Sequence, residues 1–276
     1  MGRILASVYW NYLSIWSCIE SSIVLHELLY GSRKVFSCVS LESLLVFIVL
    51  SNSKLNAAKS AASVIPKEGA IGLGSGSTVA IFVEELSRRT NLGEVSLSVV
   101  PSSYQAYQLA VKYQIPLTNL DSTPELLLTV DGADEVDRNL NLIKGGGGAL
   151  FQEKIVAFAS KKLVIIIDES KIVEKLGSKF PVPIEVLPFS LGVVKKAITK
   201  MGITPILREA KEKMGPVVTD NGNFIIDLKF SQPINNLEKL AIDLKMIPGV
   251  VETGLFVGMT DEVHVGTEKD VYVLKK

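Results

Sequence analysis

The residues best suited to chemistry crowd into "VDGADEVDRNLNLIKGGGGALFQEKI", positions 130–155. Asp131, Asp134 and Glu135 come first, and Lys144 follows thirteen residues after Asp131. Four glycines (145–148) then lead into a helical pattern that carries Glu153. A lysine is a fixed cation, glycines let backbone N–H groups approach a ligand closely, and a carboxylate can move a proton. Carboxylate base, lysine, aspartates and backbone donors suit proton abstraction beside a carbonyl without a metal. Each element also has a plainer use. Asp131 and Asp134 serve as turn and capping residues, the glycines as a flexible loop, and Glu153 as a surface partner for a nearby lysine. Four consecutive glycines inside an apolar segment cost chain entropy, however, so the combination points to a ligand.

A second stretch, "AIGLGSGSTVAIFVEELSRR" (70–89), is almost bare of side chains at its middle. The apolar run Ala70 to Leu73 ends in Gly74, Ser75, Gly76, Ser77 and Thr78, and Val79, Phe82, Val83 and Leu86 then share one helical face. Backbone donors at a helix start, with three hydroxyls beside them, suit a phosphate. The alternative is a tight strand-to-helix turn with Ser77 or Thr78 as N-cap. No lysine follows the last glycine as a Walker A loop requires, and Ser77 stands where a dinucleotide fingerprint needs its third glycine. Both departures favour a small phosphorylated metabolite.

These residues need a scaffold, and β and α signals alternate from residue 53 onward. Lys54 to Val64 is an Ala-rich helix candidate, ended by Pro66 and Gly69. Strands are expected at 70–73, at "SLSVVP" (96–101), at "LLLTVDGADE" (126–135) and at "LVIIID" (163–168). Helices are expected after Gly76, at 102–113 with Ser102 or Ser103 as cap, and at 149–162. Continuous apolar strands between helices indicate a parallel sheet covered on both faces. Ligand sites of such sheets lie at the carboxyl ends of strands, where both chemical stretches fall. The pattern changes near Pro181 and Pro183. From there strand, helix, strand, strand, helix, strand succeed one another, the ferredoxin-like order, with "TDNG" (219–222) as a hairpin turn. The tail, "EVHVGTEKDVYVLKK", supplies two strands that return to the first sheet. The fold class is therefore α/β, a Rossmann-like doubly wound sheet with an inserted ferredoxin-like α+β domain. Residues 53–182 and 258–276 form the first domain and 183–257 the second.

Composition bounds the function. Lysine plus arginine and aspartate plus glutamate balance at 29 each among 276 residues. No basic excess argues for nucleic acid, and no polybasic run suits a membrane surface. Cys18 and Cys38 are the only cysteines, and the two histidines, His26 and His264, lie far apart, so a disulfide framework or zinc site is not expected. Residues 1–52 differ from the rest. They hold both tryptophans and both cysteines, and from Val35 to Leu50 only Glu42 is charged. That run is short of a comfortable membrane span, and no signal cleavage site follows it. The segment reads as an extension, a targeting segment or a wrongly assigned start.

The motifs together resemble the ribose-5-phosphate isomerase family of the A type. They are "GLGSGST", "VDGADEVD", "NLIKGGGGAL" with "EKI", "DESK" (168–171), "KFPVPIEVLP" (179–188), "VTDNGNFIID" (218–227) and "IPGVVETGLF" (247–256). They cover nearly everything from Lys54 to Lys276 and leave out residues 1–52. The resemblance implies reversible conversion of D-ribose 5-phosphate to D-ribulose 5-phosphate without metal or organic cofactor. It implies Glu153 as general base, with an enediolate between C2 and C1. It places Asp131, Asp134 and Lys144 on the sugar oxygens, Gly132 and Ala133 beside them, and Gly145, Gly146 and Gly147 as a backbone-donor loop. Ser75, Gly76, Ser77, Thr78, Lys171 and Lys54 become the remaining substrate contacts. It further implies a cytoplasmic homodimer or homotetramer. Ser75 replaces a usual threonine and keeps the hydroxyl, and Gly148 replaces a usual alanine. Two rivals stand beside this reading: a relative of the same fold acting on amino sugar phosphates or CoA, and a non-catalytic sugar-phosphate sensor. The sensor needs a DNA-binding domain, for which residues 1–52 offer neither basic character nor a helix-turn-helix pattern.

Overall fold

The strand "LVIIID" has no polar residue before its last position, and all six of its side chains are buried. Such a strand belongs at the middle of a sheet covered on both faces. In the computed structural model, which describes residues 41–276 except 213, it occupies that place. The described part of the extension begins at residue 41, so the rest of it, Cys18 and Cys38 included, lies outside the described residues.

The elements run α1 (Leu41–Val64), β1 (Glu68–Leu73), α2 (Ser77–Asn91), β2 (Ser96–Pro101), α3 (Tyr104–Lys112), β3 (Thr129–Asp131), β4 (Glu135–Val136), β5 (Leu142–Ile143), α4 (Leu150–Phe158) and β6 (Leu163–Asp168). They continue with β7 (Val182–Val186), α5 (Leu191–Lys200), β8 (Thr204–Leu207), β9 (Phe224–Lys229), α6 (Leu237–Lys245), β10 (Val250–Thr253), β11 (Leu255–Phe256), β12 (Glu262–Gly266) and β13 (Val271–Lys275). The main sheet has the order β13-β12-β6-β3-β1-β2. It is parallel except for the edge pair β12–β13. The tail strands return to it as expected. Strands β7 to β10 form an antiparallel sheet ordered β10-β7-β9-β8 with α5 and α6 in the connections, the ferredoxin-like arrangement. The α/β class with this inserted unit therefore holds. Each sheet has its own apolar cluster, with Ile71, Leu73, Phe82 and Val164 in one and Ile184, Val194, Ile226 and Leu244 in another.

Helix α1 begins at Leu41 rather than Lys54, so the boundary drawn at residue 52 falls inside a helix. Ala57, Ala58, Ala61 and Ala62 are buried, and these small side chains let α1 lie close on the sheet. A Cβ added to Gly266 of β12 would collide with the Ser53 carbonyl, which is why that position carries glycine.

Three other boundaries differ. The run 126–135 is not one strand. Only Thr129–Asp131 joins the main sheet, and Glu135–Val136 turns away into a three-stranded sheet ordered β11-β5-β4. Strands of two residues are too short for alternation to register. Helix α4 stops at Phe158 rather than running to 162, because Ser160 leaves it to bridge Leu126. The "TDNG" turn forms, with the Gly222 N–H donating to the Thr219 carbonyl. It closes a single bridge, Val218 to Phe224, while the ladders of β9 are with β7 and β8. Among the described residues no helix is long and apolar enough to cross a membrane.

Candidate active site

Parallel strands β1, β3 and β6 end side by side at Leu73, Asp131 and Asp168, so the loops leaving them share one edge of the sheet. Strand β5 brings Lys144 to the same edge, and the glycines after it lead into α4, whose first turn holds Glu153. Between these loops lies a cleft of about 480 Å³. Its wall includes Lys54, Ser75, Gly76, Ser77, Thr78, Gly132, Ala133, Asp134, Lys144, Gly145, Gly146, Gly147, Glu153 and Lys171. The stretches singled out in the sequence thus converge, although Lys54 and Lys171 are over a hundred residues apart.

Lys144 sits at the centre of the charge. Its Nζ lies 3.0 Å from Asp131 Oδ2 and 3.2 Å from Glu153 Oε2, and it donates to the Gly132 carbonyl at 2.7 Å. All three charged side chains are buried, with Asp131 fully enclosed. Asp131 is not on the cleft wall. It stands behind Lys144, and its Oδ1 accepts from the N–H groups of Gly132 and Ser75 at 2.7 and 3.1 Å. Glu153 Oε2 has no hydrogen-bond donor beyond its ion pair. Burial pushes the Glu153 carboxyl up to about 8, and the neighbouring Asp131 charge adds to the rise against the opposing pull of Lys144. Burial works against the Lys144 charge as well, but Asp131 and Glu153 outweigh it and hold the ammonium above the ordinary lysine range. Lys144 is therefore a permanent cation, while Glu153 can both take and return a proton near neutral pH.

The glycine loop beside this group is held from two sides. The Gly146 N–H donates to Asp134 Oδ2 at 2.7 Å. Arg208, which follows β8, donates to the carbonyls of Gly145 and Gly146 at 2.7 and 3.1 Å and is itself held by Asp227. Gly145 has a φ of +107°, and a Cβ there would lie 2.7 Å from Leu150. Any side chain there would be strained by the positive φ and crowded by Leu150 and Pro183.

The first glycine loop is built differently. Gly76, with φ of +104°, is the N-cap of α2, and no side chain caps the helix. Neither Ser77 nor Thr78 fills that role, because the glycine turn feeds straight into the helix. Ser75 Oγ donates to Ser103 Oγ at 2.7 Å, and the Gly76 N–H donates to Gln105 Oε1 at 2.9 Å. Lys54 Nζ donates to Ser77 Oγ at 3.0 Å, which places a cation beside the first turn of α2. Helix starts leave backbone N–H groups without partners inside the helix. Hydroxyls, such donors and a lysine make this end suitable for an anion.

Several residues on the cleft were not singled out in advance. Ser103 is the N-cap of α3, its Oγ accepting from the Ala106 N–H, so the capping reading was right and its place on the cleft was missed. Asp168 ends β6 beside Lys171, and Leu50 comes from α1. Thr219 and Asp220 reach the cleft from the connection between β8 and β9. Asp220 Oδ2 accepts from the Tyr104 N–H at 2.8 Å, and Gln152 Nε2 donates to Asn221 Oδ1 at 2.8 Å. The fully buried Glu185 shapes that turn by accepting from Thr219, Asn221 and Asn223. The "DESK" motif was the one available signal, through Asp168. Nothing local in "TDNG" marks it as more than a turn. Among the described residues no group of three or more His, Cys, Asp or Glu is placed to hold a metal ion.

A doubly wound sheet with a ferredoxin-like insertion, and a buried carboxylate–lysine couple at the strand ends, defines an α/β enzyme built to shift protons on a small anionic molecule. Residues 98–270 match the model of the family described as ribose 5-phosphate isomerase A (phosphoriboisomerase A). A ribose-5-phosphate isomerase of Dictyostelium discoideum is 51% identical over 222 residues, 79% of this chain and 94% of that protein. The solved structure of ribose 5-phosphate isomerase A from Methanocaldococcus jannaschii superposes with a TM-score of 0.78 at 44% identity, covering 82% of this chain and 99% of that one. A D-ribose-5-phosphate isomerase solved in complex with phospho-erythronic acid gives 0.80 at 44% identity, covering 83% and 99%. The chain belongs to the ribose 5-phosphate isomerase A family.

Proposed function

We propose that this enzyme interconverts D-ribose 5-phosphate and D-ribulose 5-phosphate, with Glu153 carrying the proton between C2 and C1. The observation that carries the reading is the buried Glu153 carboxyl, pushed up to about 8 and 3.2 Å from the Lys144 ammonium. A base whose pKa lies near the working pH removes a proton from one carbon and gives it back to the next. Lys144 and the N–H groups of the glycine loop oppose the charge that develops on the enediolate oxygens, in a site where few waters compete. Asp134 holds a sugar hydroxyl, and Asp131 keeps Lys144 charged and in place. Ser75, Gly76, Ser77 and Thr78, with Lys54 and Lys171, take the phosphate end and the adjoining hydroxyls. The phospho-erythronic acid bound by the relative above pairs a carboxylate with a phosphate, a match for a site with one cationic centre and one anion-binding helix start.

In the same reading, residues 53–182 and 258–276 act as the catalytic domain and 183–257 as a ferredoxin-like domain that supplies Arg208 and the 219–222 turn. The enzyme works as a cytoplasmic homodimer or homotetramer. The decisive measurement is a coupled assay of the full chain on D-ribose 5-phosphate, unphosphorylated ribose and glucosamine 6-phosphate. Turnover confined to ribose 5-phosphate is expected. Turnover of the amino sugar phosphate alone would replace the proposal with that rival.

A further inference from the structure

We infer that Lys154 is a positioning residue that sets the separation of Glu153 and Lys144, an inference that rests on the proposed roles of those two residues. Lys154 follows Glu153 in α4 but is not on the cleft wall. Its ammonium points to the segment joining β10 to β11. There it donates to the Thr253 and Leu255 carbonyls at 2.6 and 2.9 Å and to Glu252 Oε1 at 3.0 Å. With Thr253 Oγ1 a further acceptor at 3.4 Å, the three donors of the ammonium are fully matched in a side chain only 17% exposed. A buried ammonium is costly to hold unless every donor is satisfied, so this contact set resists displacement.

The segment that Lys154 grips is the one against which Lys144 is laid. The Lys144 N–H donates to the Gly254 carbonyl at 2.9 Å, and the Gly254 N–H donates to the Pro183 carbonyl at 2.7 Å. Leu255 pairs with Ile143, the residue before Lys144. A Cβ on Gly254 would run into the Lys144 carbonyl, so the two backbones touch without room to slide. The buried Phe256 ring lies under both ammonium groups, 4.7 Å from Lys154 Nζ and 5.5 Å from Lys144 Nζ. Helix α4 thus carries Glu153 to one side and, through the next side chain, clamps the strand that holds Lys144. The covalent path from Lys144 to α4 runs through the four glycines, a segment with little intrinsic stiffness of its own.

The experiment compares full-length Lys154→Met with Glu252→Gln, which loosens the same clamp from its far side. The readouts are kcat and KM for ribose 5-phosphate and the titration of the Glu153 carboxyl. The titration is followed by infrared difference spectroscopy against the matching Glu153→Gln background and does not depend on turnover. Misplacing a catalytic pair by a fraction of an ångström is expected to lower kcat at least about tenfold in Lys154→Met, with KM within about twofold. Glu153 should titrate at higher pH, because separation from Lys144 removes the charge that pulls it down. Glu252→Gln should move both readouts the same way by less, and it decides the matter if Lys154→Met does not fold. A lowered melting temperature with unchanged kcat and unchanged Glu153 titration would show a mere structural anchor and overturn the inference. Whether the parent turns over ribose 5-phosphate bears on the proposed reaction and leaves the titration result standing.

Discussion

Two glycine loops line one cleft with the same backbone material and different electrostatics. Around residues 74–78 the partners on the cleft side are neutral hydroxyl and amide groups, Ser103 and Gln105, with the half-buried Lys54 beside them, and Asp131 reaches only the Ser75 N–H from behind. Around 145–148 they are charged: Asp134, Arg208 and the buried trio of Lys144, Asp131 and Glu153. Neutral donors at a helix start satisfy a ground-state anion as well as a transition state, and such uniform binding appears in KM. Enclosed charges are worth far more and cannot be traded for water, so they govern the chemical step. The difference lies in the surroundings rather than in the glycines. In the proposed reaction one loop holds the substrate and the other works on it.

The sharpest test of that division is Glu153→Gln. A neutral amide cannot accept the C2 proton, so kcat should fall by about 10²–10⁴-fold, while phospho-erythronic acid still binds in a calorimetric titration. Near-parental kcat would dissolve the comparison at its reactive end. The parent's kcat/KM should climb with pH through about 8, as the base loses its proton. Stability runs the other way. The folded pKa of Glu153 lies above its ordinary 4.5, so the favourable contribution of the protonated carboxyl is complete below 4.5 and lost as pH rises through about 8. Glu153→Gln should therefore melt higher than the parent at pH 9 and gain little at pH 5.

Lys144→Met asks whether the charged loop is an electrostatic unit. Removing the cation leaves Asp131 and Glu153 buried without their partner. Urea unfolding should show a loss of about 3–5 kcal/mol, the usual result of stranding one side of a buried pair, together with loss of turnover. A loss below about 1 kcal/mol would mean that water reaches these carboxylates.

The first loop should respond more gently. Gly76 has open space where a Cβ would go, but its φ of +104° strains any branched residue. Gly76→Val should raise KM for ribose 5-phosphate about tenfold by shifting the loop backbone. Thr78→Val removes one hydroxyl, and a neutral hydrogen bond is worth about 0.5–1.5 kcal/mol, a few-fold in KM. Neither variant should worsen the slow reaction of unphosphorylated ribose. Equal damage to both substrates would show that this loop shapes the sugar site as well, and the contrast between the loops would collapse.

Much of the scaffold was legible because its signals are local. "LVIIID" and "SLSVVP" emerge as strands with the bounds expected for them; the first is buried on both faces at the middle of the sheet, and the second lies at its edge with Leu97, Val99 and Val100 buried. Both glycine loops and the position of Glu153 on the first turn of a helix were equally plain, because glycine and helical spacing act over a few residues. The tertiary structure decided what depends on partners. Asp131 was one acid in a cluster until the fold set it behind Lys144. Nothing in "TDNG" foretold that Asp220 would receive the N–H of Tyr104 from the start of helix α3. The two-residue strands β4, β5 and β11 exist only because they meet one another. The base strength of Glu153 likewise comes from burial and from charges brought in by β3 and β5. Local propensity chooses the element, but the energy of a buried charge is set by whatever distant segments enclose it, and only the folded chain brings those together.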